Sequence, residues 1–187
     1  MNDYYENRKD YFYYKYIKNF LKLICRENDS ICDVGSCGVD MISHLQCKKK
    51  MSIDLNCPVN CETVEGITGD FLTYDIGKHD IITCFQVLEH IDDEKIDLFV
   101  ERLLNFGKII VISVPYKWKK GMCKSHLQDP VDLKKVLKWF KRKPLFIHKI
   151  AEKNGLERMI LAFKNEQSIE ILSDELIKEL EEIFLTA

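Results

Sequence analysis

The run Ser30 to Asp40, S-I-C-D-V-G-S-C-G-V-D, sets a short apolar segment, an acid and a two-glycine turn in immediate succession. It reads as a strand that ends in Asp33 and breaks at Gly35 and Gly38, where the missing Cβ lets bare backbone approach a ligand. Such a turn needs a sheet whose strand ends converge on one edge, and the chain supplies further strands. Lys50 to Leu55 predicts a second, ending in Asp54; Val64 to Phe71 predicts a third, closing in Gly69-Asp70-Phe71. Asp80 to Phe85 is short and apolar, as a central parallel strand should be, and Lys108 to Val114 is a fifth, closed by Pro115.

Between these lie helical patterns. Tyr4 to Cys25 has no proline or glycine and repeats Tyr13, Tyr16, Ile17, Phe20, Leu21 and Ile24 at helical spacing. Its many tyrosines pack against the domain or lid a ligand site. Val39 to Leu45 is expected to be the helix after the glycine turn. Asp92 or Asp93 is placed to cap another, running to about Asn105 and burying Ile96, Phe99, Val100, Leu103 and Leu104 before Gly107. Val131 to Lys141 predicts a helix, Lys143 to Ile150 and Glu157 to Phe163 two strands around Asn154-Gly155, and Gln167 to Phe184 a last helix. Strands alternating with helices predict an α/β fold: a doubly wound, mostly parallel seven-stranded sheet with an antiparallel edge, in three layers α/β/α.

At 187 residues the chain suits one domain over 1–187, with a helical segment at 1–28, a loop at 116–130 and a C-terminal helix at 166–187. No apolar run approaches the ~18 to 20 residues of a membrane span, and the N-terminus lacks a secretory pattern, so no membrane association and a cytoplasmic location are expected. Of eight cysteines, Cys25, Cys32, Cys47 and Cys84 sit in apolar stretches, and Cys57 with Cys61 form one close pair. A structural zinc site wants two such pairs, so no metal is expected and the thiols read as reduced.

Ligands of open α/β sheets bind outside the carboxyl ends of the strands. Here those ends carry Asp33 with Gly35, then Asp54, then Asp70, then Phe85 with Gln86. Asp54 follows Gly35 by nineteen residues, near the ~20 that separate a glycine loop from a ribose-binding carboxylate. A carboxylate before the first glycine would repel a pyrophosphate, so a phosphate-free ligand with a cationic centre fits better. S-adenosylmethionine, with its sulfonium, ammonium and ribose, is such a ligand.

The motifs D-V-G-S-C-G-V, strand-end Asp54, G-D-F at Gly69 to Phe71 and D-I-I-T-C-F-Q-V-L-E-H-I at Asp80 to Ile91 resemble the class I S-adenosylmethionine-dependent methyltransferases, over roughly Ser30 to Pro115. V-L-E-H-I and the later S-V-P are similar to the branch that methylates small molecules. The resemblance implies a Rossmann-like fold and a set of cofactor contacts. Asp33, Gly35, Ser36, Cys37 and Gly38 would line the methionine part, Asp54 would hold the ribose hydroxyls, and Leu55 would pack on the adenine. Asp70 would accept from the adenine amino group beside Phe71, and Phe85, Gln86 and Val87 would form the floor near the sulfonium. His90 either touches the cofactor or, with Glu89, orders the turn after the strand. The family's D-x-G-x-G-x-G pattern is kept at Gly35, while its later glycines fall on Cys37 and Val39.

Methyl transfer from a sulfonium is an in-line displacement in which alignment can supply about 7 to 11 kcal/mol, so a general base is optional. His126 in the loop after the fifth strand is the first candidate base, with loop ordering as its alternative, and Tyr116 is the second. Between Lys117 and Lys143 ten Lys or Arg face Asp129 and Asp132, a local net of +8, which favours an anionic or sugar-like small-molecule acceptor. A nucleic-acid acceptor, or a non-catalytic module keeping the fold, are the alternatives.

Overall fold

The computed structural model describes residues 11–165; the expected helix at Gln167 to Phe184 and the first residues of the Tyr4 to Cys25 pattern lie outside them. In chain order the elements are α1 (Phe12–Ile24), β1 (Ser30–Val34), β2 (Lys49–Asp54), β3 (Glu65–Thr68) and β4 (His79–Phe85), then a 3-10 turn (Leu88–His90), α2 (Asp93–Phe106), β5 (Gly107–Pro115), α3 (Leu133–Phe140), β6 (Phe146–Ala151) and β7 (Glu157–Lys164). They form one seven-stranded sheet of order β3-β2-β1-β4-β5-β7-β6. β3 to β5 run parallel, and β7 is antiparallel to both β5 and β6. The expected mostly parallel sheet with an antiparallel edge is what forms.

Alternation along the strands divides the core between the sheet's two faces. Ile31, Ile81, Val111 and Ile160 pack with Tyr13, Ile17 and Leu21 of α1. Their neighbours Cys32, Ile82, Ile110, Ile112 and Leu161 pack with Phe99, Val100 and Leu103 of α2 and with Val136, Leu137 and Phe140 of α3. The face of α2 predicted to be buried, Ile96 to Leu104, is buried. Its capping differs: Asp92 occupies the N-cap position without a side-chain cap and turns to Lys95, 3.8 Å away, while Asp93 accepts from Gln128. The N-terminus of α1 is met from far along the chain, where the buried Glu152 accepts the Phe12 and Tyr13 amides at 3.2 and 3.0 Å.

The helix expected over Val39 to Leu45 does not form; the segment is a series of turns and bends. Its apolar residues Val39, Met41, Ile42 and Leu45 are buried all the same. Side chains take the backbone groups a helix would have paired. Asp40 accepts the amides of Ile42 and Ser43 at 3.1 and 2.9 Å, and Lys50 donates to the carbonyls of Ser43 and Leu45 at 2.9 and 2.8 Å. The crossovers from β2 to β3 and from β3 to β4 also lack helices, so winding is looser on this side than the alternating pattern predicts. No helix among the described residues is long and apolar enough to cross a membrane.

Candidate active site

The sheet order puts β1 beside β4, and the carboxyl ends of these two strands open onto a cavity of about 590 Å3. One wall is the glycine loop, where Asp33, Gly35, Ser36 and Cys37 face the space; Phe85 and Gln86 form its floor. Gly35 has φ +77°, and a Cβ there would lie 2.5 Å from a methyl of Val87, so both conformation and space require glycine. Cys37 stands where the family pattern has a glycine and adopts a glycine's geometry, φ +46°.

Asp54 holds that strained loop. Its Oδ2 accepts the Cys37 amide at 2.9 Å, and its Oδ1 accepts the amides of Asn56 and Cys57, each at 2.9 Å. Gly38 donates to the Cys57 carbonyl at 2.6 Å. Below this, the Ser36 and Ser52 hydroxyls meet at 3.0 Å and both accept the Val59 amide. A carboxylate offers about four acceptor positions, so three backbone amides leave Asp54 about one for a ligand hydroxyl.

Asp33 is buried and accepts the Thr83 hydroxyl at 2.5 Å. Burial, partly offset by that bond, pushes its carboxyl up to about 7. Glu89, at the 3-10 turn after β4, is fully buried with both carboxylate oxygens lacking hydrogen bonds, and burial pushes it up to about 8. His90 and His126 join Glu89, and one ligand atom from each of the three lies within 4.8 Å of the others. The His90 and His126 rings meet edge to face at 4.8 Å. His90 Nδ1 lies 2.9 Å from the Ser125 carbonyl and His126 Nδ1 lies 2.7 Å from Asp129. With the Nδ1 hydrogens engaged there, each Nε2 keeps its lone pair, the second-sphere arrangement that orients metal-ligating imidazoles. Burial also lowers the pKa of His90, favouring its neutral form. The expectation of no metal considered only cysteines; Glu89, His90 and His126 are a different group, one that could hold an ion.

The 116–130 segment forms the outer wall, with Trp118, Met122, Cys123, Ser125 and His126 facing the cavity. It is anchored where Leu127 and Gln128 donate to the Glu89 carbonyl and Gln128 reaches the Ile91 carbonyl. Tyr11, Tyr13 and Tyr14 also line the cavity, so the aromatic N-terminal pattern both packs and borders the site.

Of the residues expected at a cofactor, the cavity gathers Asp33, Gly35, Ser36, Cys37, Phe85, Gln86 and His90, with His126 as candidate base. Gly38, Asp54, Leu55, Asp70, Phe71 and Val87 lie outside its lining. Leu55 is exposed; Phe71 is buried against Phe99, ring centroids 4.9 Å apart; Asp70 accepts the Leu72 amide; and Val87 backs Gly35. Tyr116 is in the core, its amide bound to the Glu157 carbonyl and its side chain packed in the cluster with Val114 and Val131, outside the cavity lining. Sequence reading passed over Arg158. Arg158 had a signal, a lone cation in the apolar strand E-R-M-I-L-A-F.

No family model matches the sequence, and no curated protein does. Solved structures do. The small RNA methyltransferase HEN1 aligns with a TM-score of 0.62 at 17% identity, over 83% of this chain and 25% of that one. Magnesium protoporphyrin IX methyltransferase ChlM from Synechocystis PCC 6803, with bound SAH, aligns with a TM-score of 0.63 at 12% identity, over 80% of each chain. The fold is that of the class I methyltransferases. The same methyltransferase fold matches the 4+2 cyclase SpnF, with a TM-score of 0.62 at 9% identity over 80% of this chain and 78% of that one. Fold likeness therefore fixes the scaffold, and the chemistry has to be argued from the cavity.

Proposed function

We propose that this chain is an S-adenosylmethionine-dependent methyltransferase acting on an anionic or sugar-like acceptor. The observation that carries the reading is the single cavity running from the glycine loop at β1, across Gln86 at β4, to the Glu89, His90 and His126 group. Bound cofactor supplies an electrophilic methyl group on a sulfonium. Backbone at Gly35 to Cys37 and the floor at Phe85 and Gln86 would hold its methionine end, Asp33 would face its positive charge, and Asp54 would offer its remaining acceptor position to the ribose.

Glu89, His90 and His126 are the residues that would hold a divalent cation, which supplies Lewis acidity toward an acceptor oxygen. Where no cation is held, His126 Nε2 is instead the atom placed to take the acceptor's proton, with Asp129 fixing the ring. Trp118 and the tyrosines exclude water around the reacting atoms.

Titration calorimetry with S-adenosylhomocysteine tests the reading. One site is expected, weakened at least tenfold by Asp54→Ala; no binding to the wild-type protein overturns it. A nucleic-acid acceptor is favoured by a different observation, the uninterrupted basic stretch Lys117, Lys119, Lys120 and Lys124 flanking cavity-lining Trp118, Met122 and His126. That version requires affinity for an oligonucleotide to fall steeply with salt; a log–log slope near zero excludes it.

A further inference from the structure

Arg158 is the second residue of β7, opposite Pro115 at the end of β5. It is 6% exposed and is the one Lys or Arg among the described residues lining the cavity. Its guanidinium lies 5.0 Å from the Tyr13 ring centroid and 5.4 Å from that of Trp118. Both rings are fixed: the Tyr13 hydroxyl lies 2.5 Å from Ser113 Oγ, and the Trp118 indole donates to the Glu157 carbonyl at 2.9 Å. Arg158 Nε donates to Gln86 Oε1 at 3.3 Å, while Gln86 Nε2 donates to Ser113 at 3.2 Å.

This network leaves the guanidinium under-used. Nη1 is buried without a hydrogen bond. It forms a buried ion pair with Glu152 Oε1 at 3.7 Å, beyond hydrogen-bond distance, and Glu152 also accepts the amides at the start of α1. A guanidinium carries five N–H donors in a rigid fork, and leaving such a donor unsatisfied in the interior is costly. An arginine held between two aromatic rings at a cavity wall, its Nη1 without a hydrogen bond and its carboxylate partner at ion-pair distance only, has a donor to offer the oxyanion of a ligand.

We propose that Arg158 recognises an anionic oxygen group, carboxylate or phosphate, on the methyl acceptor. The sheet order assigns it to the acceptor: the glycine loop follows β1, whereas Arg158 lies on β7, beyond β4 and β5. The assignment rests on the cofactor lying at the glycine loop; anion recognition by Arg158 is testable without it.

The test compares wild type with Arg158→Gln and Arg158→Lys, each checked for unchanged circular dichroism and unfolding m-value. Thermal unfolding is followed at constant ionic strength while chloride is replaced by phosphate or by acetate, with and without S-adenosylhomocysteine. Wild type should be stabilised by one or both anions in a saturable, millimolar range, and the preferred anion separates phosphate from carboxylate recognition. Arg158→Gln should lose that response, Arg158→Lys should keep a weaker one, and S-adenosylhomocysteine affinity should change less than threefold in both. No anion response in wild type, or an undiminished one in Arg158→Gln, overturns the proposal. A tenfold or larger loss of S-adenosylhomocysteine affinity in Arg158→Gln also overturns it, because Arg158 would then serve the cofactor's carboxylate. Absence of S-adenosylhomocysteine binding in wild type with the anion response intact would instead sink the methyltransferase reading and leave the oxyanion site standing.

Discussion

Gly35→Ala probes the tightest point of the glycine loop, and the structure separates its two costs. At φ +77° an L side chain is strained by about 1 to 2 kcal/mol. The new Cβ would also sit 2.5 and 3.2 Å from the two methyls of Val87, an overpacking that adds about 1 to 3 kcal/mol. The single substitution should therefore destabilise by about 2 to 5 kcal/mol. Val87→Ala removes both methyls and leaves only Val87 Cβ, at 3.5 Å, an ordinary contact. By itself it should cost about 1 kcal/mol in lost packing. In the double variant the collision disappears and the backbone strain remains, so the total should fall short of the sum of the singles by about 1 to 3 kcal/mol. Urea unfolding of the four proteins at matched m-values measures this coupling. Additivity within about 0.5 kcal/mol would refute the reasoning, because the loop would then have moved away from β4 to admit the methyl.

Cys37→Gly should stabilise the protein by roughly 0.5 to 1 kcal/mol in the same assay, since relief of the left-handed backbone exceeds the added chain entropy. Asp33, raised from 3.8 to about 7, binds its proton more tightly folded than unfolded, so its contribution to stability falls as pH rises across that window, by up to about 4 kcal/mol. Asp33→Asn should flatten the pH profile of urea midpoints between pH 4 and 7, and should abolish the roughly half a proton that wild type releases on binding S-adenosylmethionine near pH 7, read by calorimetry in buffers of different ionisation enthalpy. Asp129→Asn should weaken Mn2+ binding, followed by electron paramagnetic resonance, by about 10- to 100-fold through the orientation of His126; unchanged affinity would remove His126 from the metal site.

Much of the fold was legible because the strands are short, apolar and punctuated: each of the seven expected strands forms within a few residues of its predicted limits. Val39 to Leu45 was misread because a buried apolar run looks the same whether its backbone pairs with itself or with Asp40 and Lys50, and those partners are tertiary choices. The methionine side of the site was legible for a local reason: Asp33 to Cys37 is a continuous loop. Of the other half His126 was expected, but its meeting with Glu89 and Arg158 was not, since they come together only after β4, the 116–130 segment and β7 are brought to one edge of the sheet.

The three amides gathered by Asp54 make one carboxylate the common anchor of two segments, the glycine loop and the turn after β2. Cys37, Asn56 and Cys57 should therefore exchange their amide hydrogens as one cooperative unit, with matched protection factors, although they belong to different connections of the sheet. A ligand hydroxyl docking on Asp54 would slow all three together, so their exchange would report occupancy of the ribose position even where catalysis cannot be assayed.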